Sequence, residues 1–232
     1  MKKIITALLL AGIVLSLVSC GRNKNKDTST SSSSSQTTQG TTNSGNGGMT
    51  DSMGAKSFLH SVYGTFLANM VPVYEAGSVD EVKGYFAGPE TETVTEKDPD
   101  TGEDFSYEVP KNEPGAIDPN DGENLESQTL FPASSADMLS GAAIFFNIMN
   151  QNNGTFAAFE LKNESDMQML ADMMKSKLKN NQWICGFPEH YLIMRVGNIM
   201  VFSYGLESSL NAFKSAVAAE HAGAAVIYDE AV

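Results

Sequence analysis

The stretch Tyr191-Leu192-Ile193-Met194-Arg195-Val196-Gly197-Asn198-Ile199-Met200-Val201-Phe202-Ser203-Tyr204 decides the fold. Two runs rich in aliphatic, aromatic and β-branched residues flank Gly197-Asn198, a pair suited to a two-residue hairpin turn. Toward the N-terminus the pattern repeats. Residues 142–149, with Ile144, Phe145, Phe146 and Ile148, read as a buried strand, Asn153-Gly154 as a turn, and residues 155–161 as the returning strand. Between the hairpins, Met167, Leu170, Ala171, Met174 and Leu178 recur at helical spacing. Residues 164–179 therefore read as a helix capped by Asn163, with Lys175, Lys177 and Lys179 suited to the negative end of its dipole. Leu206, Leu210, Phe213 and Val217 mark a closing helix. The order ββαββα, with strands paired in hairpins, places the domain in the α+β class, with helices packed on one face of an antiparallel sheet.

Upstream, Phe58, Leu59, Val62, Tyr63, Phe66, Leu67 and Met70 form one apolar helix face, and Pro72 ends or bends that helix. Ser78 and Glu81 stand at capping-box spacing for a second, shorter helix. Residues 90–126 then hold 13 acidic side chains against two basic ones, Lys97 and Lys111, a local charge of −11. Asp98-Pro99-Asp100-Thr101-Gly102 is turn chemistry, so residues 91–97 and 103–109 read as the arms of a solvent-exposed hairpin. A loop broken by Pro110, Pro114 and Pro119 follows. Residues 55–232 read as one globular domain with this acidic insertion at about 90–126.

Residues 1–54 have a different composition. Lys2-Lys3, an apolar run from Ile4 to Val18 and a small residue before Cys20 form a secretory signal peptide, residues 1–19, too short for a comfortable membrane span. Leu17-Val18-Ser19-Cys20 resembles the lipobox of bacterial lipoproteins. The resemblance implies diacylglycerol on the Cys20 thiol and cleavage just before it; the bland alternative is an ordinary secreted protein. Residues 20–54 carry almost no apolar side chains, and Ser31 to Ser35 is a homopolymer, so this segment reads as a disordered tether. A chain of that length reaches about 30–35 Å. Arg22, Lys24 and Lys26 beside the anchor either touch anionic head groups or are simply solvated. The expected location is the extracytoplasmic face of the cell membrane, reached through lipid on Cys20.

Composition excludes other classes. The net charge of −13, with a pI near 4.5, argues against a nucleic-acid partner, because phosphate binding relies on Lys and Arg. Two cysteines build neither a disulfide framework nor a zinc cluster. The sequence has no phosphate-binding glycine loop, no zinc-protease motif and no nucleophile elbow, so neither a cofactor nor a catalytic residue is assigned.

Residues from about 135 to 217 resemble a family of uncharacterised lipoproteins of Gram-positive bacteria with a C-terminal domain of unknown function. The resemblance rests on Gly154, the charged helix 164–179, Pro188, and Gly197-Asn198 leading into the apolar strand from Ile199 to Phe202. It implies a fold and an envelope location but no chemistry, and the acidic segment departs from it.

Four groups remain as chemical candidates. His190 follows Cys185 by five residues, the ingredients of a thiolate–imidazole pair, yet the run Trp183-Ile184-Cys185-Gly186-Phe187 suits core packing. His60 sits among apolar helix positions, and His221 lies beyond the closing helix. Asp98, Asp100 and Asp104 alternate as calcium ligands would, but Gly102 and Val109 fall where an EF-hand loop needs other residues, leaving a weak exposed site or a solvated charge run. Met167, Met169, Met173 and Met174 crowd one helix, as Cu(I) ligands or as adaptable packing. The sequence thus points to a binding module for another envelope component, such as a partner protein. An envelope hydrolase using His190 and a calcium-dependent adhesion or sensing module are the alternatives.

Overall fold

A computed structural model describes residues 54–184 and 186–232. Helix α1, Ala55–Met70, buries the expected face from Phe58 to Met70. Helix α2, Val79–Lys83, starts at Ser78, whose side chain accepts the Glu81 N–H. The Glu81 carboxylate returns one residue further, to the Gly77 N–H at 2.9 Å. Strand β1, Phe86–Ala87, precedes the acidic hairpin of β2, Thr91–Lys97, and β3, Asp104–Pro110, which pair only with each other. The predicted loop after the hairpin contains two further elements, β4, Gly115–Ile117, and α3, Gly122–Thr129. Strand β5, Leu139–Asn147, and β6, Gly154–Leu161, lead into α4, Met167–Asn180; β7, His190–Val196, and β8, Ile199–Gly205, lead into α5, Glu207–Glu220. The expected ββαββα order and α+β class are therefore present. Strand β9, Ala225–Ala231, was not anticipated and closes the chain.

The large sheet runs β1-β5-β6-β8-β7-β9, with β4 also paired to β5, and every pairing is antiparallel. Its helices lie on both faces rather than on one. Ala143, Phe145, Phe156, Ala158, Leu192 and Val201 face α1 and α5 in one core. Their strand neighbours Ala142, Ile144, Ala157, Phe159, Ile193 and Phe202 face α3 and α4 in a second core. The reason is visible in β8, where every residue is buried. A strand covered on one side alternates apolar and polar; a continuous apolar run needs cover on both. In the first core, Phe156 packs within 4.7 Å of Phe145, 4.8 Å of Phe213 and 4.9 Å of Phe66, centroid to centroid.

Three local expectations change. The strand called 142–149 ends at Asn147, and Ile148 is exposed. Asn153-Gly154 is not a two-residue turn; residues Gln151–Asn153 form one 3-10 turn, and Gly154 begins β6 in extended conformation. The Gly197-Asn198 turn is present, with Val196 opposite Ile199 and positive φ (58°) at Gly197 alone, the type II′ pattern. Asn163 precedes a 3-10 turn, Glu164–Asp166, without a side-chain cap bond.

The sheet has two distinct ends. Gly54, where the preceding segment joins, lies beside Glu160, level with Gly141 and Ile199. This near end also holds the Gly197-Asn198 turn. Seven-residue β8 separates it from the far end by roughly 20 Å. There Gly154, Gly205, His190 and Ala231 lie side by side across four strands.

Candidate functional site

At the far end, two loops project beyond the strands. The first, 148–153, is built from asparagines. Asn147 Oδ1 accepts the backbone N–H of Met149 at 3.0 Å and of Asn150 at 3.1 Å, and Asn150 Oδ1 accepts that of Asn152 at 3.0 Å. Such Asx turns satisfy the backbone without a strand partner and leave the intervening side chains outside. The second loop, 181–189, follows α4. Asn152 Nδ2 ties the two together, donating to the Ile184 carbonyl at 2.8 Å and the Gly186 carbonyl at 2.9 Å. Gly186 has φ of 113°, which an L side chain rarely adopts.

Exposure of large apolar side chains concentrates here: Met149 78%, Ile184 80%, Phe187 76% and Ile148 47%. Ile184 and Phe187 were read with the core and are instead solvent-facing. Apolar side chains held outside on an ordered scaffold mark interaction surfaces more often than packing errors.

Beside this tip runs an open trough of about 640 Å³. Half-buried Trp183 forms one wall, its ring 5.2 Å from that of buried Tyr204 and tilted by 56°. The amides of Gln151, Asn152, Asn181 and Gln182 line it, with the Glu126–Lys177 ion pair at its rim. Lys177 and the Ala133 N–H hold the Glu126 carboxyl below its ordinary pKa.

The predicted candidates fall elsewhere. Cys20 and Cys185 lie outside the described residues, as does the 1–53 segment. Asp98 spends Oδ1 on the N–H groups of Asp100 at 2.8 Å and Thr101 at 2.9 Å, which lowers its pKa. Asp104 pairs across the hairpin with Lys97 at 2.7 Å. These carboxylates are not gathered into a donor set; among the described residues, no three His, Cys, Asp or Glu side chains are placed to hold a metal ion. Met167 and Met174 are buried in the second core, whereas Met169 is exposed, so the four thioethers do not converge.

His60 is exposed. His190 Nε2 meets Asp229 Oδ1 at 2.8 Å, and Lys214 takes Asp229 Oδ2 at 2.7 Å. Burial raises the Asp229 pKa, but the bonds from Lys214 and His190 outweigh it and the net shift is downward. Ser203 lies on the same sheet face, diagonal to His190, but its hydroxyl is fully buried and makes no hydrogen bond, so His190 does not activate it. The His190–Asp229–Lys214 cluster instead staples β9 to β7 and α5. On the opposite face Glu230 accepts from Lys175 at 2.7 Å, Lys179 at 3.3 Å and Tyr191 at 2.7 Å, and these bonds lower its pKa to about 2.

His221 stacks on Phe58, rings 4.8 Å apart, and shares a 2.9 Å bond with Ser61 Oγ; burial lowers its pKa. Among the described residues, no helix is long and apolar enough to cross a membrane. No family model, curated protein or solved structure matches the chain, so the site is read from its own residues.

Proposed function

We propose that this chain is a lipid-anchored module on the extracytoplasmic face of the cell membrane that binds another envelope component through the far end of its domain. One observation carries the reading: Met149, Ile184 and Phe187 are held more than three-quarters exposed on two loops bonded to each other. Ordering a loop costs conformational entropy, and exposing its apolar side chains returns nothing unless something covers them. The position of the tip fits the lipobox reading. A tether from Cys20 would join the domain at Gly54, which lies at the near end of the sheet, and this leaves the far-end loops clear of the junction.

The test is crosslinking in cells of the full, tagged protein, followed by purification and mass spectrometry, with Cys20→Ser beside it. A dominant crosslinked species that disappears in Cys20→Ser and in Phe187→Ser is the expected result. A crosslinking pattern identical in all three proteins would overturn the reading.

A further inference from the structure

We propose that the trough beside Trp183 binds a neutral oligosaccharide. This rests on the binding-module reading and names the ligand class at the same end of the domain. Three features of the trough select that class.

The first is the aromatic wall. Tyr204 buttresses Trp183, so the indole is positioned yet only half-buried. Sugar rings have an apolar face of C–H bonds that packs flat against such a ring, and an aromatic wall also contributes its area at low entropic cost.

The second is the amide lining. The side chains of Gln151, Asn181 and Gln182 make no hydrogen bond to another described group, and all three edge the trough. An amide offers a donor and an acceptor on adjacent atoms. A pair of neighbouring sugar hydroxyls needs that combination, because each hydroxyl both donates and accepts.

The third is charge. Glu126 and Lys177 neutralise each other at the rim, and among the described residues no other charged side chain lines the trough. A phosphate or carboxylate would want an unpaired cation. A cation would want clustered carboxylates. A bound peptide would want a free strand edge or a deep apolar slot, and this open, amide-lined trough presents neither. A volume of about 640 Å³ lies within the 300–1,000 Å³ usual for small-ligand sites.

Trp183 is the only tryptophan in the chain, so its emission reports this trough directly. The full-length protein in detergent is titrated with cellotetraose and with chitotetraose, and with inorganic phosphate and a mixed peptide pool as comparison arms. The expected result is a saturable emission shift with at least one tetrasaccharide and none with phosphate or peptide. Asn181→Ala or Gln182→Ala should weaken it about fivefold, the equivalent of one lost hydrogen bond, with an unchanged Tm. Trp183→Phe, followed by calorimetry, should keep part of the affinity because the ring face remains.

Absence of a saturable shift with either tetrasaccharide overturns the proposal. So does a shift produced by the peptide pool alone, or sugar affinity untouched in both amide variants. If crosslinks from the far-end loops persist while the sugars fail, the ligand class falls and the binding-module reading stands.

Discussion

The two ends of the sheet are built from the same strands and behave as opposites. At the near end polar groups meet polar groups. Arg195 pairs with Glu164, Lys162 donates to the Asp137 carbonyl at 2.8 Å, and Asn198 Nδ2 reaches the Leu161 carbonyl at 3.3 Å. The turn there is two residues long. At the far end the connections are longer, their backbones are tied by asparagine side chains, and their apolar side chains face solvent. Large apolar side chains close to the near end are at most about half exposed, Val226 at 49% and Met169 at 46%, whereas three at the far end exceed three-quarters. The far end keeps such surface on an ordered frame, as a binding surface does.

Phe156→Ala should erase the comparison altogether. Phe156 packs against aromatic rings of α1, β5 and α5, so its loss should cost about 3–5 kcal/mol and loosen both ends together, read as a falling midpoint in urea. A loss below 1 kcal/mol would mean the first core is not the shared support of the two ends.

Glycine substitutions sharpen the contrast. At Gly205, with φ of 154°, an added Cβ would sit 2.5 Å from the Asn153 carbonyl oxygen. Gly205→Ala should cost about 2–5 kcal/mol and disturb the far-end loops. Gly197→Ala at the near end meets nothing within 4 Å and suffers only the strain of φ 58°, about 1–2 kcal/mol. Equal costs at the two sites would contradict the tight closure of the far end.

Titration separates other parts of the molecule. The Glu230 pKa is lowered to about 2 by its bonds from Lys175 and Tyr191, and the Glu90 pKa to about 2 by bonds from Lys56 and the Ala116 N–H. A depressed carboxylate favours the fold above its ordinary pKa, and that contribution fades as pH falls. Tm should therefore drop as pH falls from 4.5 toward 2, and less steeply in Glu230→Gln. Near-end His221 has its pKa lowered from 6.5 by burial, so the fold favours its neutral form. Its contribution is full above 6.5 and declines as pH falls below it; His221→Gln should flatten Tm between about pH 7 and 5. An unchanged slope in that variant would remove His221 as the source.

The smallest effect on stability should come from Phe187→Ser and Met149→Ser. Both side chains are more than three-quarters exposed, so denaturation midpoints should move by no more than about 0.5 kcal/mol.

Much of the fold was legible in the sequence because periodicity carries it. The α4 stripe of Met167, Leu170, Ala171, Met174 and Leu178 is buried as read. The two-sided burial was also written in the unbroken run from Ile199 to Tyr204, but hairpin patterning favoured a one-faced sheet. Strand β9, Ala-Val-Ile-Tyr-Asp-Glu-Ala, has no hairpin turn signal tying it to a neighbouring strand in the sequence; Asp229 and Glu230 are the groups that staple it down.

The candidate site was largely illegible. Ile184 and Phe187 sit in a run indistinguishable by composition from core. What exposes them is the pairing of Asn152 with two carbonyls more than thirty residues away in the chain. The asparagine density of residues 147–153 was the available signal, since Asx turns hold a loop without burying it.

The most direct test of the central claim places one photo-crosslinking residue at position 187 and, in a second protein, at position 198, each in the full chain in living cells. The account expects discrete adducts from 187, none above background from 198, and equal folding of both proteins. Equal labelling from the two ends, or adducts from 198 alone, would contradict it.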